Sequence, residues 1–82
     1  MAKTPTAFAR LLVRYKLSSD EAARQILRTR KRGEPAASLS PGYVNQIANG
    51  HVPSLRLGRL IVRWATKKGA RLGLEDLGIV TT

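Results

Sequence analysis

The sequence predicts a small all-α protein of four to five helices. Three observations predict it. Apolar residues recur at i, i+3, i+4, i+7 in two separate stretches, the spacing of one helix face. Ser18, Ser40 and Ser54 each stand just ahead of a helical pattern, where an N-cap belongs. No stretch carries a strand signal apart from IVTT at 79–82, which is terminal.

The first helix is expected over 5–15, with Thr4 as N-cap and Pro5 at the first helical position, where its missing N–H costs nothing. Phe8, Leu11, Leu12 and Tyr15 form its apolar stripe, and Arg10 and Arg14 lie off it. The second helix starts at Ser18. Ser18 and Glu21 make an S-x-x-E capping box, in which the hydroxyl and the carboxylate each take one orphan N–H. Asp20 and Glu21 also suit the positive end of the helix dipole. Ala22, Ala23, Ile26 and Leu27 give a narrow apolar face whose alanines let another helix approach closely.

The segment RTRKRGEPAAS at 28–38 has no periodicity, and Gly33 and Pro35 interrupt it. It reads as a loop, or as a frayed continuation of the second helix followed by a loop. The third helix is expected over 41–49. Ser40 caps it, Pro41 opens it, and Asn49-Gly50 stops it, with Gly50 suited to the left-handed C′ position. Gly42 weakens its first turn by up to about 1 kcal/mol against Ala. After the turn VPS, a fourth helix is expected over 55–68 with the stripe Leu57, Leu60, Ile61, Trp64. Arg56, Arg59, Arg63 and Lys67 fall on another side as a solvated face, and Gly69 ends the helix. LEDL at 74–77 reads as a helical turn that closes the core through Leu74 and Leu77.

Eighty-two residues bound a single domain, 1–82, with a small core. There is no cysteine, which excludes disulfides and thiolate metal sites, and the single His51 cannot build a metal site alone. No nucleophile motif and no glycine-rich phosphate loop occur, so neither catalysis nor a cofactor nor a small-molecule substrate is expected. No apolar run reaches the roughly 20 residues of a membrane span. The opening MAKTPTAFARLLVRYK lacks an uninterrupted apolar segment, so a secretory signal is not expected and a cytoplasmic, nucleoid-associated location is. Fifteen Lys and Arg against five Asp and Glu leave a net charge of +10, which favours a polyanionic partner. Nucleic acid is expected over an anionic membrane or an acidic protein. The aromatics Phe8, Tyr15, Tyr43 and Trp64 are too few for a single-strand stacking platform, and Trp64 belongs to a core stripe.

The third helix divides cleanly. Val44, Ile47 and Ala48 fall on one side and Gly42, Asn45, Gln46 and Asn49 on the other. The outer face has amides and a glycine but no formal charge. Asn and Gln offer a donor and an acceptor together, which matches adenine in the major groove. The bare Gly42 permits close approach, and the first-turn N–H groups from Ser40 to Tyr43 suit a phosphate. Tyr43 reads either as a core partner or as a phosphate ligand through its hydroxyl. Arg28, Arg30, Lys31 and Arg32 are expected on phosphates or in a neighbouring minor groove.

SSDEAARQI followed by LSPGYVNQIANGHVPS resembles the lambda-repressor and Cro type of helix-turn-helix domain. Glu21 and Ala23 match its second helix. Leu39, Ser40, Val44, Asn45, Ile47, Asn49 and Gly50 match the approach to its recognition helix and that helix itself. Pro53 and LEDL match the later part of the domain. The likeness spans about 6–78. It implies a phosphate contact at Ser19, base or phosphate contacts at Asn45 and Gln46, and a phosphate contact at Asn49 and the loop after it that His51 and Arg56 extend. Together with the helix face itself this puts Gly42, Tyr43, Asn45, Gln46 and Asn49 at bases or the groove and Ser40 at a phosphate. Two departures stand out. Pro41 and Gly42 occupy the two positions after the cap, where the family carries its main base readers. Twelve residues separate Ile26 from Leu39, where the family typically has one, so about eleven extra residues, rich in arginine, sit beside the recognition helix.

The expected function is that of a double-stranded DNA-binding transcriptional regulator of the kind carried by phages and mobile elements. One such helix reads few base pairs, so a homodimer on adjacent half-sites is expected, with Leu72, Leu74, Leu77, Ile79 and Val80 as the apolar residues available for it. Two alternatives stay open: an RNA-binding protein using the arginine-rich segment, and an antitoxin-like protein-interaction module.

Overall fold

The computed structural model describes residues 6–33 and 38–80. It has four helices, α1 (Ala7–Arg14), α2 (Ser19–Arg28), α3 (Pro41–Ala48) and α4 (Leu55–Lys67), followed by a 3-10 turn at Leu74–Leu77. Among the described residues there is no strand; Ile79 and Val80 are irregular, and Thr81 and Thr82 lie outside the described residues. The cap and opening proline expected at Thr4 and Pro5 also lie outside them. Within the described residues α1 is capped by Thr6, whose Oγ1 accepts from the Ala9 N–H at 3.1 Å. The same hydroxyl donates to the Ala48 carbonyl at 2.9 Å, which fastens the start of α1 to the end of α3.

Ser18, Ser40 and Ser54 cap the other three helices, accepting from Glu21, Tyr43 and Leu57 N–H. The Ser18–Glu21 box closes differently from the expected reciprocal pattern: the Ser18 hydroxyl donates to the Glu21 carboxylate at 3.3 Å. Helices α1, α3 and α4 end alike. The N–H two residues past the C-cap reaches the third-last carbonyl, as in Leu17 to Leu12, His51 to Gln46 and Ala70 to Ala65, each at 2.9 Å. Such an ending needs a left-handed residue. Gly50 and Gly69 supply it after α3 and α4, whereas α1 uses Lys16 at φ 54°. A side chain there costs about 1–2 kcal/mol, and glycine loses roughly 0.5–1 kcal/mol in chain entropy. Lys16→Gly is therefore expected to raise stability by about 0.5–1 kcal/mol, or several degrees in Tm. An unchanged or lower Tm contradicts this.

Side chains from every element share one core. Phe8 meets Trp64 edge-on, with ring centroids 6.0 Å apart, and both are buried. The indole N–H donates to Gln25 Oε1 at 3.1 Å, so the one polar atom of the ring keeps a partner. Ala22 and Ala23 are buried, and α2 makes its largest helix contact with α3. Small side chains at this crossing let the two backbones approach. Gly58 plays the same part in α4, because a Cβ there would overlap Ile79 Cδ1 and crowd Leu74.

Two expectations are corrected here. Arg63 is not part of a purely solvated face: its guanidinium donates to the Thr29 carbonyl at 3.0 Å. Of the five residues expected to serve a homodimer, Leu72 and Leu77 are buried within the chain and Leu74 and Ile79 are half-buried, which leaves Val80, 85% exposed. A core this small needs those leucines for itself.

Candidate nucleic-acid interface

Helix α3 buries one side and shows the other. Val44 and Ile47 are in the core and Ala48 is half-buried, whereas Gly42, Asn45, Gln46 and Asn49 are all exposed. Ser40 Oγ takes the Tyr43 N–H at 3.1 Å, and Pro41 has no N–H to offer. The Gly42 N–H remains as the open donor of the first turn, at the positive end of the helix. The fold gives Gly42 no steric reason to be glycine. A Cβ there would have only Ser40 Oγ near it, at 4.0 Å, and its φ is not in the left-handed region.

The first residue of α2 meets the middle of α3, where Ser19 Oγ donates to Asn45 Oδ1 at 3.4 Å. Asp20 and Glu21 share that first turn. Asp20 pairs with Arg24, and Glu21 accepts from Ser18. These carboxylates make the end of α2 a poorer seat for a phosphate than the capping serine alone implies. The geometry suits Ser19 to holding the Asn45 amide.

Tyr43 is half-buried, and its ring stands edge-on to His51, with centroids 5.3 Å apart and planes at 75°. Both readings of Tyr43 therefore keep a part: the ring packs, and its hydroxyl has no hydrogen bond within the described residues. His51 and Arg56 are exposed, His51 just past α3 and Arg56 in the first turn of α4.

The basic segment begins as a continuation of α2. Helix runs through Arg28, Thr29 caps it, and Arg30, Lys31 and Arg32 come next as exposed residues; 34–37 lie outside the described residues. Thr29 is the buried polar residue that sequence reasoning missed. Its hydroxyl donates to the Ile26 carbonyl at 2.7 Å and lies 3.4 Å from the Leu60 carbonyl. With Arg63 on its own carbonyl, Thr29 pins the root of the arginine-rich segment to α4. A threonine at the end of an amphipathic helix was the available signal.

Among the described residues no three His, Asp or Glu side chains gather as a metal site, and no helix is long and apolar enough to cross a membrane. No protein-family model, curated protein or solved structure matches the chain at a significant level.

Proposed function

We propose that this chain is a double-stranded DNA-binding transcriptional regulator that lays α3 in the major groove. One observation carries the reading: in a chain of net charge +10, the exposed side of α3 carries Gly42, Asn45, Gln46 and Asn49 and no charge at all. A face selected only for solvation would share the charge of its surroundings. An amide face that can donate and accept suits base edges, and cations around it supply the affinity. In this reading α2 and α3 form a helix-turn-helix pair of the lambda-repressor and Cro type, with residues 29–40 replacing the tight turn. Asn45 and Gln46 read bases, with Asn45 steadied by Ser19. The Gly42 N–H, Ser40, Tyr43, Asn49, His51 and Arg56 meet the phosphates and groove edge. Arg30, Lys31 and Arg32 bind phosphates beside the groove or enter a minor groove.

The test is binding to a duplex across a salt series, for the protein and for the triple variant Arg30→Gln, Lys31→Gln, Arg32→Gln. Each phosphate contact adds about 0.9 to the slope of log K against log[salt], so the variant is expected to lose roughly 2–3 from it. An unchanged slope removes the segment from the interface. Tighter binding of structured RNA than of duplex, lost in the same variant, favours the RNA-binding alternative. A salt-insensitive complex with an acidic protein, and none with either nucleic acid, favours the antitoxin-like one.

A further inference from the structure

A second cationic surface lies away from α3. A groove of about 300 Å³ runs between the C-terminal halves of α2 and α4, lined by Gln25, Arg28, Thr29, Trp64, Lys67 and Lys68. Its titratable groups are all cations, with no carboxylate among them. The side chains offer mostly donors. Gln25 Oε1 accepts from the indole N–H, so the amide NH₂ is what Gln25 has left to offer. Beside the groove, Lys68 Nζ lies 5.3 Å and the Arg14 guanidinium 5.6 Å from the centre of the Tyr15 ring.

Lysines at a helix C-terminus often serve the helix itself, by answering its unsatisfied carbonyls. Here that need is met elsewhere. Ala70 and Gly69 N–H take the Ala65 and Thr66 carbonyls, and the Tyr15 hydroxyl donates to the Lys68 carbonyl at 3.1 Å. Lys67 is exposed, and Lys68 is half-buried with its ammonium shared with the Tyr15 ring. No carboxylate lines the groove itself, although Glu21 shares the adjoining hollow with Arg28, and an external polyanion relieves the repulsion among Arg28, Lys67 and Lys68.

Two helices measure the distance from the recognition face. Helix α1 starts at Thr6, tied to the end of α3, and finishes eight residues later beside Lys68, about 12 Å away. Helix α2 starts at Ser19, tied to Asn45, and reaches Arg28 after about 13 Å. Both run from the α3 side of the molecule to the groove. Arg28 accordingly parts company with Arg30, Lys31 and Arg32, since it lines the groove from the last turn of α2.

We infer that this groove binds the phosphodiester backbone of a second DNA segment, so that one molecule holds two duplexes together. The inference rests on the reading of α3 as the first duplex-binding face, and it adds a bridging activity to it. Arg28, Lys67 and Lys68 supply the charge-assisted contacts to phosphate, Gln25 adds a neutral donor, and Trp64 forms the buried floor. The surface reads no sequence, because phosphate contacts carry none.

The experiment uses two short duplexes, one biotinylated and one fluorescent, and measures how much fluorescent duplex is retained on streptavidin by the full chain. It is run beside a binding titration with one duplex and a light-scattering measurement of mass. The variants are Lys67→Gln/Lys68→Gln and, separately, Asn45→Ala/Gln46→Ala. The protein is expected to retain the second duplex as a monomer. The lysine variant is expected to keep single-duplex affinity within about twofold and to lose bridging at least tenfold, with a Tm within several degrees of the parent's, since it gives up the Lys68 contact with Tyr15. The amide variant is expected to keep a salt-sensitive site for one duplex. Bridging that is unchanged in the lysine variant, bridging found only in a dimer, or a single-duplex affinity that falls in the lysine variant without any bridging in the parent each overturns the inference and leaves the α3 reading standing. Failure of the parent to bind any duplex overturns both.

Discussion

Replacing Asn45 and Gln46 together with alanine is expected to weaken binding to a selected duplex at least about 30-fold, since each bidentate base contact is worth roughly 1–3 kcal/mol. Binding to a random duplex is expected to change by no more than about twofold, because its affinity comes from charge that the variant leaves intact. Both residues are exposed, so the fold loses no packing. Alanine adds a few tenths of a kcal/mol of helix propensity at each site, so a loss of binding cannot be put down to unfolding. Ser19→Ala gives a graded control. It removes the hydroxyl that donates to Asn45 Oδ1 without touching a base, so its effect is expected on the same duplex, in the same direction, and smaller. Equal losses on selected and random duplexes would show that the amide face contributes only generic contact.

Trp64→Ala is expected to remove about a third or more of the folding free energy and to lower the unfolding midpoint steeply. The residue is 2% exposed, and its ring is the edge partner of Phe8. Truncating a buried Trp costs about 3–5 kcal/mol, against a total of roughly 4–12 kcal/mol for a chain of this length. The change also strands Gln25 Oε1, the acceptor of the indole N–H. Trp64→Phe separates the two contributions. It keeps an aromatic ring beside Phe8 and loses the hydrogen bond, at an expected cost of about 1–2 kcal/mol. Urea unfolding followed by circular dichroism measures both, since the chain has a single tryptophan and these variants lose its fluorescence. A Trp64→Ala midpoint within the range of surface variants would mean that the core closes without this ring.

The helices were legible because their signals are local. Serine caps at Ser18, Ser40 and Ser54, the stripes ending at Tyr15 and Trp64, and the stop at Gly50 all act within a few residues of themselves. The two-sided character of α3 was legible for the same reason, since a helix of eight residues fixes which side chains point together. What escaped depends on partners far along the chain. Thr6 is tied to Ala48, Arg63 to Thr29, and Gly58 is shaped by Ile79, and no local pattern announces any of these. The groove cations Arg28, Lys67 and Lys68 come from two helices that the sequence separates and the fold brings together. Leu74 and Leu77 were read correctly as closing the core but also offered to a partner, and Leu72 only to a partner, because their burial depends on how 70–79 folds back over α4, which periodicity does not encode.

The central claim is that the exposed side of α3 meets a duplex, and Gly42→Leu tests it most directly. Within the free chain Gly42 is exposed and a Cβ there meets only Ser40 Oγ, at 4.0 Å, and leucine improves helix propensity by roughly 0.5–1 kcal/mol over glycine. Thermal unfolding and duplex binding are measured on the same preparation. The expected result is a protein at least as stable as the parent that binds duplex at least tenfold more weakly, because the added side chain holds α3 away from the groove. A protein equally stable and equally tight on duplex would place this face outside any interface and contradict the proposal.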